Sequence, residues 1–141
     1  MNPPELEPKI FTVEEANACL PKVKELLAAL RAQVAKIISK EAQIDFAELL
    51  AASPDGTLSA QAQSRLSGEL DELNTWVRDF QTTLKAFEQV GCLLKDLDEG
   101  LIDFYAMRGG EMVFLCWKDG EDRVGHWHRL EEGFPGRQRL D

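Results

Sequence analysis

The chain contains no apolar run near the roughly 20 residues that a membrane-crossing helix requires. It has only three cysteines, Cys19, Cys92 and Cys116, an odd number at wide spacings. That pattern excludes a disulfide framework and predicts reduced thiols. No Cys-x-x-Cys pair, no glycine-rich phosphate loop and no internal repeat occurs. Positive charge is also scarce: 16 basic residues stand against 25 acidic ones, a net charge of −9. Nucleic-acid binders carry a basic patch or stripe, so this balance disfavours nucleic acid as a partner. The first nine residues, rich in proline and glutamate, lack the basic start and apolar stretch of a signal peptide, and a cytoplasmic location is expected.

What is present is ordinary for a folded domain: 141 residues, 44% hydrophobic and 29% charged. That length predicts a single domain over 1–141, large enough to bury a core. Three stretches follow one another: a flexible tail over 1–10, a helical hairpin over 11–90, and a β-rich cap over 91–141.

The hairpin has clear signals. Thr12-Val-Glu-Glu15 fits a capping box, with Thr12 as N-cap and Glu15 reaching back. Leu20, Val23, Leu27, Leu30, Val34, Ile37 and Ile44 then step by three, four or seven. Leu66, Leu70, Leu73, Val77, Phe80, Leu84 and Phe87 do the same in the second arm. This is a coiled-coil-like seam of about three heptads in each arm. Pro21 falls inside the first arm and predicts a kink or break near Leu20. Ser53-Pro-Asp-Gly-Thr57 is turn chemistry, and Gly91 sits where a C-terminal glycine cap belongs. A connection that short forces the arms antiparallel. Ile38, Phe46, Leu49 and Trp76 widen the apolar stripe beyond the seam, which predicts a further partner surface and a homodimer or higher oligomer.

Beyond Gly91 the period changes to two. Strands are expected at 92–95, 101–105, 111–118 and 124–128, an antiparallel meander of three to four strands. Val113, Leu115 and Trp117 share one face of the third strand, and Met112, Phe114 and Cys116 the other. With both faces apolar, that strand should be central and covered twice. Regular structure is expected to end around Gly133, Pro135 and Gly136. The fold class is therefore α+β: a long helical hairpin, kinked near Pro21, followed by a small antiparallel β cap.

Several motifs in the cap carry a resemblance. Gly91-Cys-Leu-Leu-Lys-Asp-Leu-Asp-Glu-Gly-Leu-Ile-Asp-Phe104, Leu115-Cys-Trp117, Gly120-Glu121, Trp127-His128 and Gly133-Phe-Pro-Gly-Arg-Gln138 resemble an uncharacterised bacterial family, domain-of-unknown-function family 2203. Phe11-Thr-Val-Glu-Glu-Ala-Asn17 is similar to that family's start. Tyr105 departs from the pattern, which has proline there. The resemblance implies a cytosolic bacterial protein and no established activity.

Three constellations in the cap bear chemistry. Cys92, Cys116, His126 and His128 offer thiolates and imidazoles, the donors zinc prefers. Against a zinc site stands the absence of close-spaced ligand pairs, and buried cysteines serve equally as small hydrophobes. Arg129 and Arg137 near Trp127 could hold a phosphate through charge and stacking, although Asp122, Glu131 and Glu132 dilute that field. Asp96, Asp98, Glu99 and Asp103 read as a solvated acidic turn, since the spacing fails a calcium loop. No catalytic residue stands out. The expected function is an oligomerising interaction or scaffold module, and the alternative is a cap that binds a metal or small ligand.

Overall fold

The computed structural model describes residues 8–141. The expected flexible tail falls mainly on residues 1–7, outside the described residues. Helix α1 runs Val13–Ala51 and α2 runs Ala60–Val90. Five strands follow: β1 Leu93–Asp96, β2 Leu101–Arg108, β3 Glu111–Lys118, β4 His126–Arg129 and β5 Gln138–Arg139. The α+β class, with a helical hairpin and a β cap, is what the periodicities indicate. No helix among the described residues is long and apolar enough to cross a membrane.

The chain divides into two compact units. One comprises residues 29–84, and the other comprises the remainder on either side. In the first, the two arms run antiparallel. Gln33 Nε2 donates to Thr83 Oγ1 at 2.9 Å. Nearer the turn, Lys40 pairs with Glu69 and Glu72, and Ile44 packs with Leu66 and Leu73. The hydrogen bond to Glu69 leads in holding the Lys40 ammonium above its ordinary range. Leu70, expected in the seam, is exposed. The buried line of α2 passes through Ala62, Leu66 and Leu73 toward the Glu69 side, which turns Leu70 to its margin.

In the second unit the capping box forms as expected. Thr12 N–H donates to Glu15 Oε1 at 3.0 Å, and Glu15 N–H donates to Thr12 Oγ1 at 3.1 Å. Of the kink or break expected near Pro21, the break does not occur: α1 is one helix through that position. Pro21 is exposed, so its ring lies toward solvent and does not disturb the packed side of the helix. Leu20 and Val23 beside it are buried, and their packing holds the helix together. Gly91 closes α2 with φ of +97°, the left-handed conformation that glycine supplies.

The sheet is a meander in the order β1-β2-β3-β4-β5, all antiparallel. Gly109 and Gly110, both at positive φ, make the tight turn between β2 and β3. Strand β3 is central, as its two apolar faces require. β5 is an addition: regular structure does not stop at Gly136, because Arg137 leads straight into pairing with β4. One face of the sheet carries Ile102, Phe104, Val113, Leu115 and Trp117, all buried. Phe11 meets Phe104 edge-on at 5.1 Å, and Lys24 lies over Trp117. Asn17 fixes the start of α1 here, its Oδ1 accepting from Val124 N–H at 2.8 Å. The opposite face is where polar groups collect.

Candidate functional site

Strand pairing determines what meets on that second face. Asp103 on β2 is the register partner of Cys116 on β3, and Phe114 is the partner of His128 on β4. Residues two apart point the same way, so Asp103, Phe114, Cys116, His126 and His128 share one surface. Asp103, Cys116 and His128 are 4%, 1% and 2% exposed. One donor atom from each lies within 4.8 Å of the other two.

The imidazole is held at both ends. His128 Nδ1 is 2.9 Å from the carbonyl oxygen of Arg129, and a carbonyl can only accept, so Nδ1 carries the proton. Nε2 then points at Asp103, 3.2 Å from Oδ1 and 3.1 Å from Oδ2. Phe114 stacks against the ring at 5.4 Å. Burial pushes the Asp103 carboxyl up, against the opposing pull of His128 and Lys95. Burial likewise pushes the Cys116 thiol up to about 12. Cys116 is therefore a thiol at rest, and both His128 nitrogens are committed elsewhere. A cysteine nucleophile activated by histidine is not built here.

The thiol continues the polar line toward Arg137, whose positive charge acts on it. Arg137 forks onto Glu121, with Nη1 to Oε1 at 2.9 Å and Nη2 to Oε2 at 2.8 Å. Glu121 Oε1 also accepts from Lys118 N–H at 2.7 Å. Burial would raise the Glu121 carboxyl, but the Arg137 fork outweighs it and holds the group below its ordinary range. A line of polar groups thus runs Glu121, Arg137, Cys116, Asp103, His128 across an otherwise apolar face, hydrogen-bonded at its two ends.

A cavity of about 140 Å³ opens beside this line. Asp103, Cys116 and His128 form its floor, and Lys95, Phe134 and Glu132 stand among its walls. Glu132 Oε2 is buried with no hydrogen-bond partner among the described residues. Its carboxylate fits because position 136 is glycine: a Cβ there would lie 2.9 Å from Oε2.

The structure redistributes the residues named from sequence. Cys116 and His128 come together. Cys92 does not join them: it is buried with Cys19 as its thiol neighbour, and burial pushes it up to about 12. His126 turns to Glu121, with Nδ1 3.5 Å from Oε2. Arg129, Arg137 and Trp127 do not form one site. Strand alternation sends Trp127 and Arg129 to the far face, where Arg108 lies over Trp127, while Arg137 is held by Glu121. Asp103, taken as part of a solvated acidic turn, is instead buried in β2. The missed signal was a lone carboxylate inside the apolar run Leu101-Ile-Asp-Phe-Tyr105, where only a partnered charge is tolerated. Glu132 left no comparable signal, because nothing local shows that its chain folds back over the sheet.

No curated protein and no solved structure matches the chain. The model of a family described as an uncharacterized conserved protein, DUF2203, matches residues 9–140, which include every residue of the polar line and its cavity. The chain belongs to the DUF2203 family.

Proposed function

We propose that the cap is a metal-binding module that takes a divalent transition cation, zinc in the first instance, on Asp103, Cys116 and His128. The observation that carries this is the orientation of His128. A backbone carbonyl takes the Nδ1 proton, so Nε2, which faces a carboxylate and a thiol, is the nitrogen that would ligate once the proton it shares with Asp103 has left. Ligating histidines are held in this way in metal sites. The Nε2 to Oδ2 separation of 3.1 Å is close to the edge of about 3.3 Å between N and O ligands around tetrahedral zinc. Carboxylate, thiolate and imidazole together suit zinc better than calcium or magnesium. Binding displaces the Cys116 proton, and Arg137, already neutralised by Glu121, leaves the cation its attraction to Asp103.

The test is elemental analysis of protein purified without chelator or nickel resin, followed by cobalt substitution. Stoichiometric zinc, and a sulfur-to-cobalt absorption band lost in Cys116→Ser, are the expected results. Metal-free protein that shows no cobalt band and does not compete with a chromophoric chelator for zinc would overturn the reading.

A further inference from the structure

We infer that the metal site is open on one side, and that its free position takes a small carboxylate anion held also by Lys95. The inference rests on the metal reading above and names what shares that site. Asp103, Cys116 and His128 come from three adjacent strands and lie on one face of one sheet. A cation on their three donor atoms is therefore ligated from the sheet side alone. The remaining tetrahedral position points away from the sheet, into the cavity of about 140 Å³ that has these residues as its floor. Among the described residues, no fourth histidine, cysteine or carboxylate joins the group. Three protein donors with an open fourth place are the pattern of sites that bind an exchangeable ligand, whereas a structural zinc site closes all four.

The walls identify the ligand. Lys95 Nζ lies 4.9 Å from the Phe114 ring centre, and Lys118 and Arg137 lie 5.3 and 4.2 Å from that of Phe134. Lys118 is tied to Glu99, and Arg137 to Glu121. Lys95 has no direct ion pair among the described residues, and the carboxylate its charge acts on is Asp103. A cation taken up by Asp103 cancels that attraction and leaves Lys95 without a counter-charge. A divalent cation with the Asp103 carboxylate and the Cys116 thiolate is neutral as a unit. A fourth ligand with one negative charge is then matched by Lys95. The Glu132 carboxylate on the same wall does not meet it, because Oε2 is buried against Gly136. The cavity has room for a few heavy atoms, and Phe114 and Phe134 make part of its wall apolar. A short carboxylate fits these demands: one oxygen on the metal, the other on Lys95, and its carbon tail against the two rings. Phosphate has no apolar part and brings more charge than Lys95 balances.

The test is titration of the cobalt-loaded full chain with sodium propionate at constant ionic strength, following the visible cobalt bands. Propionate should shift them to saturation, and propionamide, equal in size and uncharged, should not. In Lys95→Gln the midpoint should rise about tenfold, as the loss of one charge-assisted hydrogen bond requires. Lys118→Gln should leave the midpoint where it was. The sulfur-to-cobalt band, read in every sample, separates the two readings. Its absence defeats the metal reading and this inference with it. Its presence with bands that propionate does not move, that propionamide moves equally, or whose midpoint is the same in Lys95→Gln overturns this inference and leaves the metal site standing.

Discussion

His128 Nε2 lies 3.1 Å from Asp103 Oδ2, and both residues are almost fully buried. They come from β4 and β2, with β3 between them, so the pair spans the centre of the sheet. Asp103→Asn removes the charge that His128 faces and leaves the imidazole short of its partner. Breaking a buried pair from one side costs about 3–5 kcal/mol. Urea denaturation should place both Asp103→Asn and His128→Ala near that loss. The double variant should lose clearly less than the sum of the two, because the second change removes a group already orphaned.

Metal should act on stability as a ligand of the folded state. Zinc at a hundred times its dissociation constant should add about 2.7 kcal/mol. A thermal shift on adding zinc, reversed by chelator and absent from His128→Ala, is the expected pattern. The shift should be larger at pH 8 than at pH 6, since the thiol and imidazole must shed protons to bind.

The Glu121–Arg137 fork predicts an acid limb. Its folded carboxyl sits below the ordinary value of about 4.3. The stability it contributes is complete above that value and is lost as pH falls through the lower, folded one. Glu121→Gln should therefore lower stability at pH 7 and flatten the decline between roughly pH 4 and 2. Arg137→Lys should resemble it despite keeping the charge, because an ammonium cannot fork. Denaturation midpoints across pH measure both.

Thiol labelling distinguishes the cysteines. Cys92 and Cys116 are 4% and 1% exposed and are pushed up to about 12 by burial. Cys19 is partly exposed. A thiol reagent at pH 8 should modify one equivalent in the native protein, mapping to Cys19, and three after unfolding.

Gly91 should resist replacement. Its φ is +97°, and a Cβ there would come within 3.1–3.3 Å of Lys9 and Phe11. Gly91→Ala should cost about 1–2 kcal/mol from the backbone alone, with crowding added. Chemical denaturation of the variant measures it.

The hairpin and the meander were legible because each rests on a local period. The seam residues step along a helix face, and Val113 to Trp117 alternate along a strand. Whether Pro21 kinks α1 or breaks it was not legible, since that depends on which side of α1 faces water. β5 was hidden because two residues have no period. Half of the candidate site, Cys116 with His128, could be anticipated from donor chemistry and strand parity. The exchange of Cys92 and His126 for Asp103 depends on the pairing register, and the position of Glu132 depends on how the last segment returns over the sheet.

The meander order also has a consequence for synthesis. Each strand pairs with its neighbour in sequence, so the sheet can zip up strand by strand as the chain leaves the ribosome. Asp103 and Cys116 would meet early, on adjacent strands. Their partner His128, and then Glu132 and Arg137, arrive only after β3 is made. A nascent or truncated chain would hold a half-formed floor with an uncompensated buried carboxyl. The segment after β3 thus decides when the cap is complete.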